Sequence, residues 1–260
     1  MTRTYLVTGA ASGIGLATAQ LLRDRGHRVI GADLRGADIE ADLATEAGRA
    51  ELVARAAERS GGTIDAVIAN AGLSAPIAAT AAVNFFGAVA TLEGLRPLLI
   101  GSSAPRAAAT ASMASLLPVD EALVEMMLRG DEPGALARAA ELEAAGGALA
   151  GTIYNSSKQA LARCIRRSAP SGEWAGAGIP LNAVAPGVVA TPMTAALTGD
   201  EAARTSLLER VPMPLGGVIG PRPIAELLAW LTGEANAHLC GQVVFIDGGA
   251  DAVLRGDRTW

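Results

Sequence analysis

A tyrosine and a lysine four residues apart are the side chains of this chain best suited to transferring a proton. Tyr154 and Lys158 begin and end the segment YNSSK. In a helix, residues at this spacing project from the same face. A positive charge held near a phenol favours the phenolate and lowers the phenol pKa. We therefore expect a general acid/base pair, provided that the rest of the chain brings a substrate to it.

The elements that would position this pair form a regular alternation. Apolar runs of strand length alternate with helix-length segments, among them helices at 12–25 and 46–60. The predicted strands are 4–8, 28–33, 65–69, 107–112, 180–185 and 243–246. Alternation of this kind predicts a parallel sheet, and continuous apolarity is typical of strands covered on both faces. The predicted fold class is α/β, a single doubly wound domain over residues 1–260.

Residues 116–150 interrupt the alternation and are predicted to form an inserted helical hairpin. Asp120 can cap a helix that ends before Gly130, and Asp131 can cap a second helix with Pro133 in its first turn. Seven acidic residues and two arginines give the segment a net charge of −5, the same as the whole chain. We expect this hairpin to be solvated.

Composition excludes several classes of function. A net charge of −5 without a run of Lys or Arg argues against a nucleic-acid partner. Two isolated cysteines, Cys164 and Cys240, are too few for a disulfide framework or a zinc site, and the lone His27 and His238 give no metal site. No signal peptide precedes the first strand, so a cytoplasmic location is expected.

One charge-free stretch, 66–92, has the length of a membrane span. Polar and helix-breaking residues interrupt it at Asn70, Pro76 and Asn84. We therefore predict a buried strand, a loop and a buried helix, and no membrane partner.

A glycine-rich loop, TGAASGIG at 8–15, follows the first strand and opens the first helix. Gly9 permits a tight turn, Gly13 a close approach of a pyrophosphate, and Gly15 close packing of the helix on the sheet. Phosphates would then meet free N–H groups at the positive end of the helix. The loop predicts a dinucleotide site with contacts from Gly9, Ser12, Gly13, Ile14 and Gly15.

Acidic residues farther along favour NAD as the dinucleotide. Asp33 ends the second strand, 18 residues after Gly15, where a carboxylate accepts hydrogen bonds from ribose hydroxyls and repels a 2′-phosphate. Leu34 stands where an NADP enzyme would carry a phosphate-binding arginine, although the nearby Arg35 leaves NADP open.

Two further segments are candidates for contact with the cofactor. Asp42 and Leu43 follow a short third strand and are placed to contact the adenine, with helix capping as the alternative for Asp42. Asn70 and Gly72 close the fourth strand, where small residues let a ribose approach the backbone.

In this order and spacing the motifs resemble the short-chain dehydrogenase/reductase family, over nearly the whole chain. The resemblance rests on TGxxxGIG at 8–15, NAG at 70–72, Asn84 in VNFFG, a serine after the fifth strand, YxxxK at 154–158, NxxxPG at 182–187 and Thr191. It implies a Rossmann-type fold and hydride transfer between NAD and a secondary alcohol or ketone.

The resemblance also implies roles for individual residues. Tyr154 would be the general acid/base, and Lys158 would lower its pKa and hold the nicotinamide ribose. A serine would polarise the substrate oxygen: Ser112 matches the second serine of the family's usual pair, and Ser115 is the alternative. Asn84 would hold a water in a proton relay, unless it only braces its helix.

The carboxamide and the substrate would be bound by the segment that follows the sixth strand. Val188 and Thr191 would seat the carboxamide. Residues 191–215 would form a substrate lid, unless they merely pack on the core. No Arg or Lys lies between Thr191 and Ala203, so we expect an apolar substrate such as a steroid, terpenoid or aryl carbonyl compound.

The resemblance also predicts how the protein assembles, and two other functions are weighed against a dehydrogenase. Family members usually form homo-oligomers, and an inserted hairpin beside the Tyr154 helix would cover one common interface, which favours a dimer. A non-catalytic NAD-binding sensor would need no Tyr154 or Lys158. A sugar-nucleotide epimerase or dehydratase would need a separate substrate domain, for which 260 residues leave little room.

Overall fold

The computed structural model describes residues 2–195 and 200–257. Its centre is a seven-stranded sheet in the order β3-β2-β1-β4-β5-β6-β7, with every pair of neighbours parallel. The strands are β1 (Thr4–Thr8), β2 (Arg28–Asp33), β3 (Ile39–Glu40), β4 (Ala66–Ala69), β5 (Arg106–Thr110), β6 (Leu181–Pro186) and β7 (Val243–Ile246). The predicted doubly wound α/β fold is confirmed.

Helices cover both faces of this sheet. They are α1 (Gly13–Asp24), α2 (Glu46–Ser60), α3 (Ala78–Ala81), α4 (Ala88–Leu99), α5 (Glu121–Leu128), α6 (Glu132–Ala145), α7 (Gly147–Ser168), α8 (Glu201–Arg210), α9 (Arg222–Leu231) and α10 (Ala250–Arg255). Helices α1 and α9 pack together on one face, and α2, α4 and α7 share a core on the other. The strand order reverses between β1 and β4, and such a reversal opens a crevice at the carboxyl ends of the strands.

The fifth strand is shorter at its carboxyl end than the sequence predicts. It ends at Thr110, and Ser112 is the N-cap of a 3₁₀ turn over Met113–Leu116. The Ser112 hydroxyl accepts a hydrogen bond from the Ala114 N–H at 3.1 Å, which competes with continuation of the strand. The turn places Ser112 beyond the edge of the sheet.

A continuous helical run joins α3 to α4 through a π-helical turn over Ala82–Gly87. An 18-residue window within Ala78–Leu99 has a mean hydropathy of 1.3, which is apolar enough for a membrane span, but 61% of the window is buried within the fold. That burial fits the core helix that the sequence predicts.

The predicted hairpin consists of α5 and α6. Asp120 caps α5 by accepting the Leu123 N–H at 2.8 Å, and Asp131 caps α6 by accepting the Gly134 N–H at 3.0 Å. The expectation of a solvated hairpin is wrong for its inner face, because apolar residues at helical spacing pack into the main core. These residues are Leu123, Val124, Met127, Ala135, Ala139 and Leu142.

An ion pair between the two helices gives the hairpin a testable pH dependence. The Arg138 guanidinium bonds to both Asp120 oxygens, at 2.6 and 3.3 Å, and this hydrogen bonding holds the pKa of Asp120 below its ordinary value. A carboxyl group with a depressed folded-state pKa stabilises the fold above its unfolded pKa, and the effect is lost as pH falls through the folded value.

We predict that Asp120→Asn, which can still cap α5, lowers the free energy of unfolding at pH 7 by about 1–2 kcal/mol. The difference from wild type should shrink once pH falls below about 4, as the wild-type carboxyl protonates. Urea unfolding at pH 7 and pH 3 measures both effects. Glu141→Gln removes the exposed second partner of Arg138 and serves as a control with little effect. An equal loss for Asp120→Asn at both pH values would contradict the assignment.

Candidate active site

A cleft of about 390 Å³ lies at the carboxyl ends of the strands. It is lined by segments that follow five strands, by α7 and by the chain after β6. Most of the predicted site residues line it, namely Gly9, Ser12, Gly13, Ile14, Asp33, Asp42, Leu43, Asn70, Gly72, Ser112, Tyr154, Lys158 and Thr191. Three others, Gly15, Asn84 and Val188, lie behind its wall.

The glycine-rich loop has the geometry that its sequence predicts. Gly9 and Gly13 have φ of 71° and 53°, a region that residues with a side chain rarely adopt. A Cβ at Gly15 would lie 2.0 Å from the Gly9 carbonyl oxygen, so Gly15 permits close packing rather than contact with the cleft. Ser12 is the N-cap of α1, and its hydroxyl makes no capping hydrogen bond. The first turn of α1 therefore remains suited to an anion.

Asp33 is held at the rim of the cleft by two backbone amides. One carboxylate oxygen accepts the Ala11 N–H at 2.9 Å, and the other accepts the Leu34 N–H at 2.7 Å. The side chain of Leu34 is exposed. These bonds fix a negative charge between the glycine-rich loop and the end of β2.

The segment after β3 also reaches the cleft. Thr45, rather than Asp42, caps α2, with its hydroxyl accepting the Gly48 N–H at 3.0 Å, so the helix-capping alternative for Asp42 is wrong. The Asp42 side chain instead accepts the Ala44 N–H at 2.9 Å. This turn leaves Asp42 and Leu43 in the cleft wall.

Helix α7 carries both Tyr154 and Lys158 into the cleft. The Lys158 ammonium is buried, donates to the Thr110 carbonyl at 2.9 Å and lies 5.9 Å from the centre of the Tyr154 ring. Burial lowers the pKa of Lys158 to about 8. Burial thus disfavours the charged form of Lys158, and the Thr110 carbonyl is the hydrogen-bond partner of its ammonium.

The expected lowering of the phenol pKa is not found in this structure. Burial raises the pKa of Tyr154, because it disfavours the phenolate, and the nearby Ser112 side chain opposes this effect. Of the two candidate serines, Ser112 lines the cleft together with Tyr154. Ser115 is buried next to the cleft lining, and its carbonyl accepts a hydrogen bond from Gln159 at 3.1 Å.

Asn84 lies in the π-helical turn, fully buried behind the cleft wall. Its amide nitrogen donates to the Leu73 carbonyl at 2.9 Å and to the Ser157 hydroxyl at 3.0 Å, and its oxygen accepts the Leu73 N–H at 2.8 Å. A Cβ at Gly72 would lie 3.0 Å from the Asn84 oxygen and 3.5 Å from the Lys158 ammonium. The side chain therefore has the bracing contacts that the sequence left as its alternative.

The segment after β6 differs from the prediction at Val188. Its N–H donates to the Met213 sulfur at 3.2 Å, and its carbonyl accepts the Ile219 N–H at 3.2 Å. Both backbone groups are thereby used within the fold, while the neighbouring Gly187 and Val189 line the cleft. Thr191 lines it as predicted. Of the predicted lid, 196–199 lies outside the described residues.

Sequence reasoning missed several residues of the site. The Thr110 carbonyl accepts a hydrogen bond from Lys158, and the Thr110 hydroxyl donates to the Asn70 side chain at 3.0 Å. Its position at the end of a central strand could have identified it as a site residue. Ser157 lies inside the YNSSK segment but had no assigned role. No pattern marked the apolar lining residues Leu73 and Ala79, whereas Val83 belongs to the VNFFG motif and Met193 to the predicted lid. Within 2–195 and 200–257, no three His, Cys, Asp or Glu side chains are grouped as metal ligands.

Comparison with known proteins places this arrangement in a family. Residues 9–251 match a family model described as enoyl-(acyl carrier protein) reductase. The 3-alpha-hydroxysteroid dehydrogenase/carbonyl reductase of Comamonas testosteroni is 34% identical, over 96% of this chain and 97% of the relative. The cis-4-hydroxycyclohexanecarboxylate dehydrogenase of Sinomonas cyclohexanicum is 32% identical, again over 96% and 97%.

Solved structures give the same result. The 3-alpha-hydroxysteroid dehydrogenase from Pseudomonas sp. B-0831, solved in complex with NADH, has a TM-score of 0.88 and 39% identity, covering 98% of this chain and 99% of that one. The match extends over the glycine-rich loop, the sheet and α7 alike. The chain therefore belongs to the short-chain dehydrogenase/reductase family of oxidoreductases.

Proposed function

We propose that this protein is an NAD-dependent dehydrogenase/reductase that interconverts an apolar secondary alcohol and its ketone. One observation carries the proposal: Ser112, Tyr154 and Lys158 line the same cleft as a glycine-rich loop and a fixed carboxylate. A proton-transfer group and a dinucleotide site in one cleft are what a nicotinamide-dependent alcohol oxidation requires.

The residues present fit a dinucleotide. A pyrophosphate would bind beside Gly9 and Gly13 at the amino end of α1, and Asp33 at the rim would accept hydrogen bonds from the adenosine ribose. A carboxylate there repels a 2′-phosphate, which favours NAD over NADP. The relative solved with NADH supports the same choice. When bound, the nicotinamide accepts or supplies the hydride.

The protein's own residues handle the proton and the substrate oxygen. The Ser112 hydroxyl donates a hydrogen bond to that oxygen and orients it toward Tyr154. During oxidation the Tyr154 phenolate takes the hydroxyl proton of the alcohol; during reduction the phenol returns it. We assign the stabilisation of the phenolate, which burial alone disfavours, to the Lys158 ammonium, 5.9 Å from the centre of the Tyr154 ring. Asn84 holds the Leu73 backbone and Ser157 in place behind this pair.

The substrate end of the cleft is apolar. Leu73, Ala79, Val83 and Met193 line it, and Lys158 is the cation among its described lining residues. Both acidic lining residues, Asp33 and Asp42, belong to the adenosine end. This distribution favours an uncharged ring system such as a steroid, terpenoid or aryl carbonyl compound. Residues 191–215 would close over it as a lid.

The α5–α6 hairpin covers a surface that related enzymes use to bind other subunits. Helices α5 and α6 pack on α7, the helix that family members often use for one of their interfaces. With that face covered within the chain, we propose a homodimer. We place the enzyme in the cytoplasm, where Cys164 and Cys240 would remain the free thiols that the structure contains.

A cofactor and substrate panel tests the proposed function. With NAD⁺, the protein should oxidise apolar secondary alcohols, steroids included, with a kcat/KM at least about tenfold above that with NADP⁺. Asp33→Ser should narrow this ratio because it removes the charge that repels the 2′-phosphate. Glu58→Gln, which removes an exposed acid on α2, is the matched control. Turnover only of acidic or phosphorylated alcohols would refute the substrate class, and a preference for NADP⁺ would refute the cofactor.

Light scattering tests the assembly. We predict a mass of twice the 26.1 kDa chain, because the α5–α6 hairpin occupies the face of α7 on which a second pair of subunits would dock. A stable tetramer would contradict the proposal. Deletion of the hairpin is not a useful control, since its inner face is part of the core.

A further inference from the structure

The acidic hairpin contacts the cofactor end of the cleft through one ion pair. Glu132, in the first turn of α6, accepts two hydrogen bonds from Arg49 of α2, at 2.6 and 2.7 Å. The Arg49 side chain is 11% exposed and that of Glu132 is 32% exposed. Two parallel charge-assisted bonds fix the plane of the guanidinium as well as its position.

The other donors of Arg49 reach the backbone of the cleft wall. Its Nε donates to the Leu43 carbonyl at 2.8 Å, and an Nη donates to the carbonyls of Ala44 and Ala82 at 3.4 and 3.5 Å. Leu43 and Ala44 line the cleft, and Ala82 begins the π-helical turn that contains Asn84. One guanidinium thus joins the hairpin, the loop after β3 and the turn behind the site.

The loop that Arg49 holds is closely confined. A Cβ at Gly48 would lie 2.1 Å from the Asp42 carbonyl oxygen, and a Cβ at Gly87 would lie 3.0 Å from both Cβ and O of Leu43. The loop is therefore packed between the start of α2 and the π-helical turn. Besides this packing, the carbonyls of Leu43 and Ala44 are bonded to Arg49, whose charged partner is Glu132.

We propose that Glu132 and Arg49 are positioning residues, which set the Asp42–Ala44 loop for the adenine end of the cofactor. The inference rests on the proposed dinucleotide function. Without Glu132, the guanidinium loses its charged partner and is drawn toward solvent, away from the Leu43 and Ala44 carbonyls. We therefore expect weaker cofactor binding. The rate of the chemical step should change little, because neither Arg49 nor Glu132 contacts Ser112, Tyr154 or Lys158.

Fluorescence titration with NADH tests this inference on the intact chain. We expect Glu132→Gln to raise the Kd for NADH by about three- to tenfold, while kcat at saturating NAD⁺ stays within about twofold of wild type. AMP, which occupies only the adenine end, should show a parallel rise in its inhibition constant. Glu141→Gln, on the exposed side of the same helix, removes the same charge and should leave both constants unchanged.

A double-mutant cycle tests whether Glu132 affects NADH binding through Arg49 or through a general loss of stability. Arg49→Met should weaken NADH binding at least as much as Glu132→Gln, and the double variant should be no weaker than Arg49→Met alone. If Arg49→Met does not fold, Arg49→Lys, which cannot make the paired bonds, takes its place in the cycle.

Three results would overturn the inference. These are wild-type affinity in Glu132→Gln, additive effects in the cycle, or a fall in kcat with unchanged NADH and AMP affinities. Failure of the wild-type chain itself to bind NADH would instead refute the proposed function, and the inference with it.

Discussion

The buried ammonium group of Lys158 is the constraint on which the cleft depends. A charge in this position must have a partner, and the Thr110 carbonyl provides it. The Thr110 hydroxyl donates to the Asn70 side chain at 3.0 Å, and the backbone amides of Asn70 and Ala71 both donate to the Thr8 hydroxyl at 3.0 Å. One hydrogen-bond network therefore joins α7, β5, β4 and β1 at the edge of the sheet that borders the cleft.

The hairpin supports this network from behind. The Asp120 N–H donates to the Ser156 hydroxyl at 2.9 Å, so the start of α5 is tied to the helix that carries Tyr154 and Lys158. At its far end, Glu143 accepts the Ala78 N–H at 2.7 Å and so holds the start of α3, which carries the cleft-lining Ala79. Its acidic residues are thus not only a solvated surface, since several bind backbone or arginine groups that border the site.

The sequence predicts local features well. The glycines of the first loop, the caps at Asp120 and Asp131, and the helical spacing of Tyr154 and Lys158 each depend on neighbours within a few residues. Their geometry follows from backbone sterics and orphan N–H groups, which are properties of the segment itself. The alternation of strands and helices likewise constrains the sheet to be parallel, so the carboxyl ends of its strands meet at one edge.

Features that depend on distant residues escape such reasoning. The Val188 N–H and carbonyl bond to Met213 and Ile219, and Arg49 bonds to Glu132, partners that lie far along the chain. The direction of the Tyr154 pKa depends on how deeply the fold buries the phenol, which spacing alone does not reveal. The inner face of the hairpin is buried through contacts with the main core, which the net charge of the segment does not reveal.

In the proposed reaction Tyr154 moves the proton. This role is tested by kcat of Tyr154→Phe at saturating NAD⁺ and alcohol, with NADH affinity measured on the same sample. We expect kcat to fall by about 10²- to 10⁴-fold with NADH affinity retained. Tyr5→Phe, which removes the hydroxyl of the chain's other tyrosine, should keep its activity. A Tyr154→Phe variant with a kcat within about threefold of the wild-type value would show that Tyr154 does not transfer the proton.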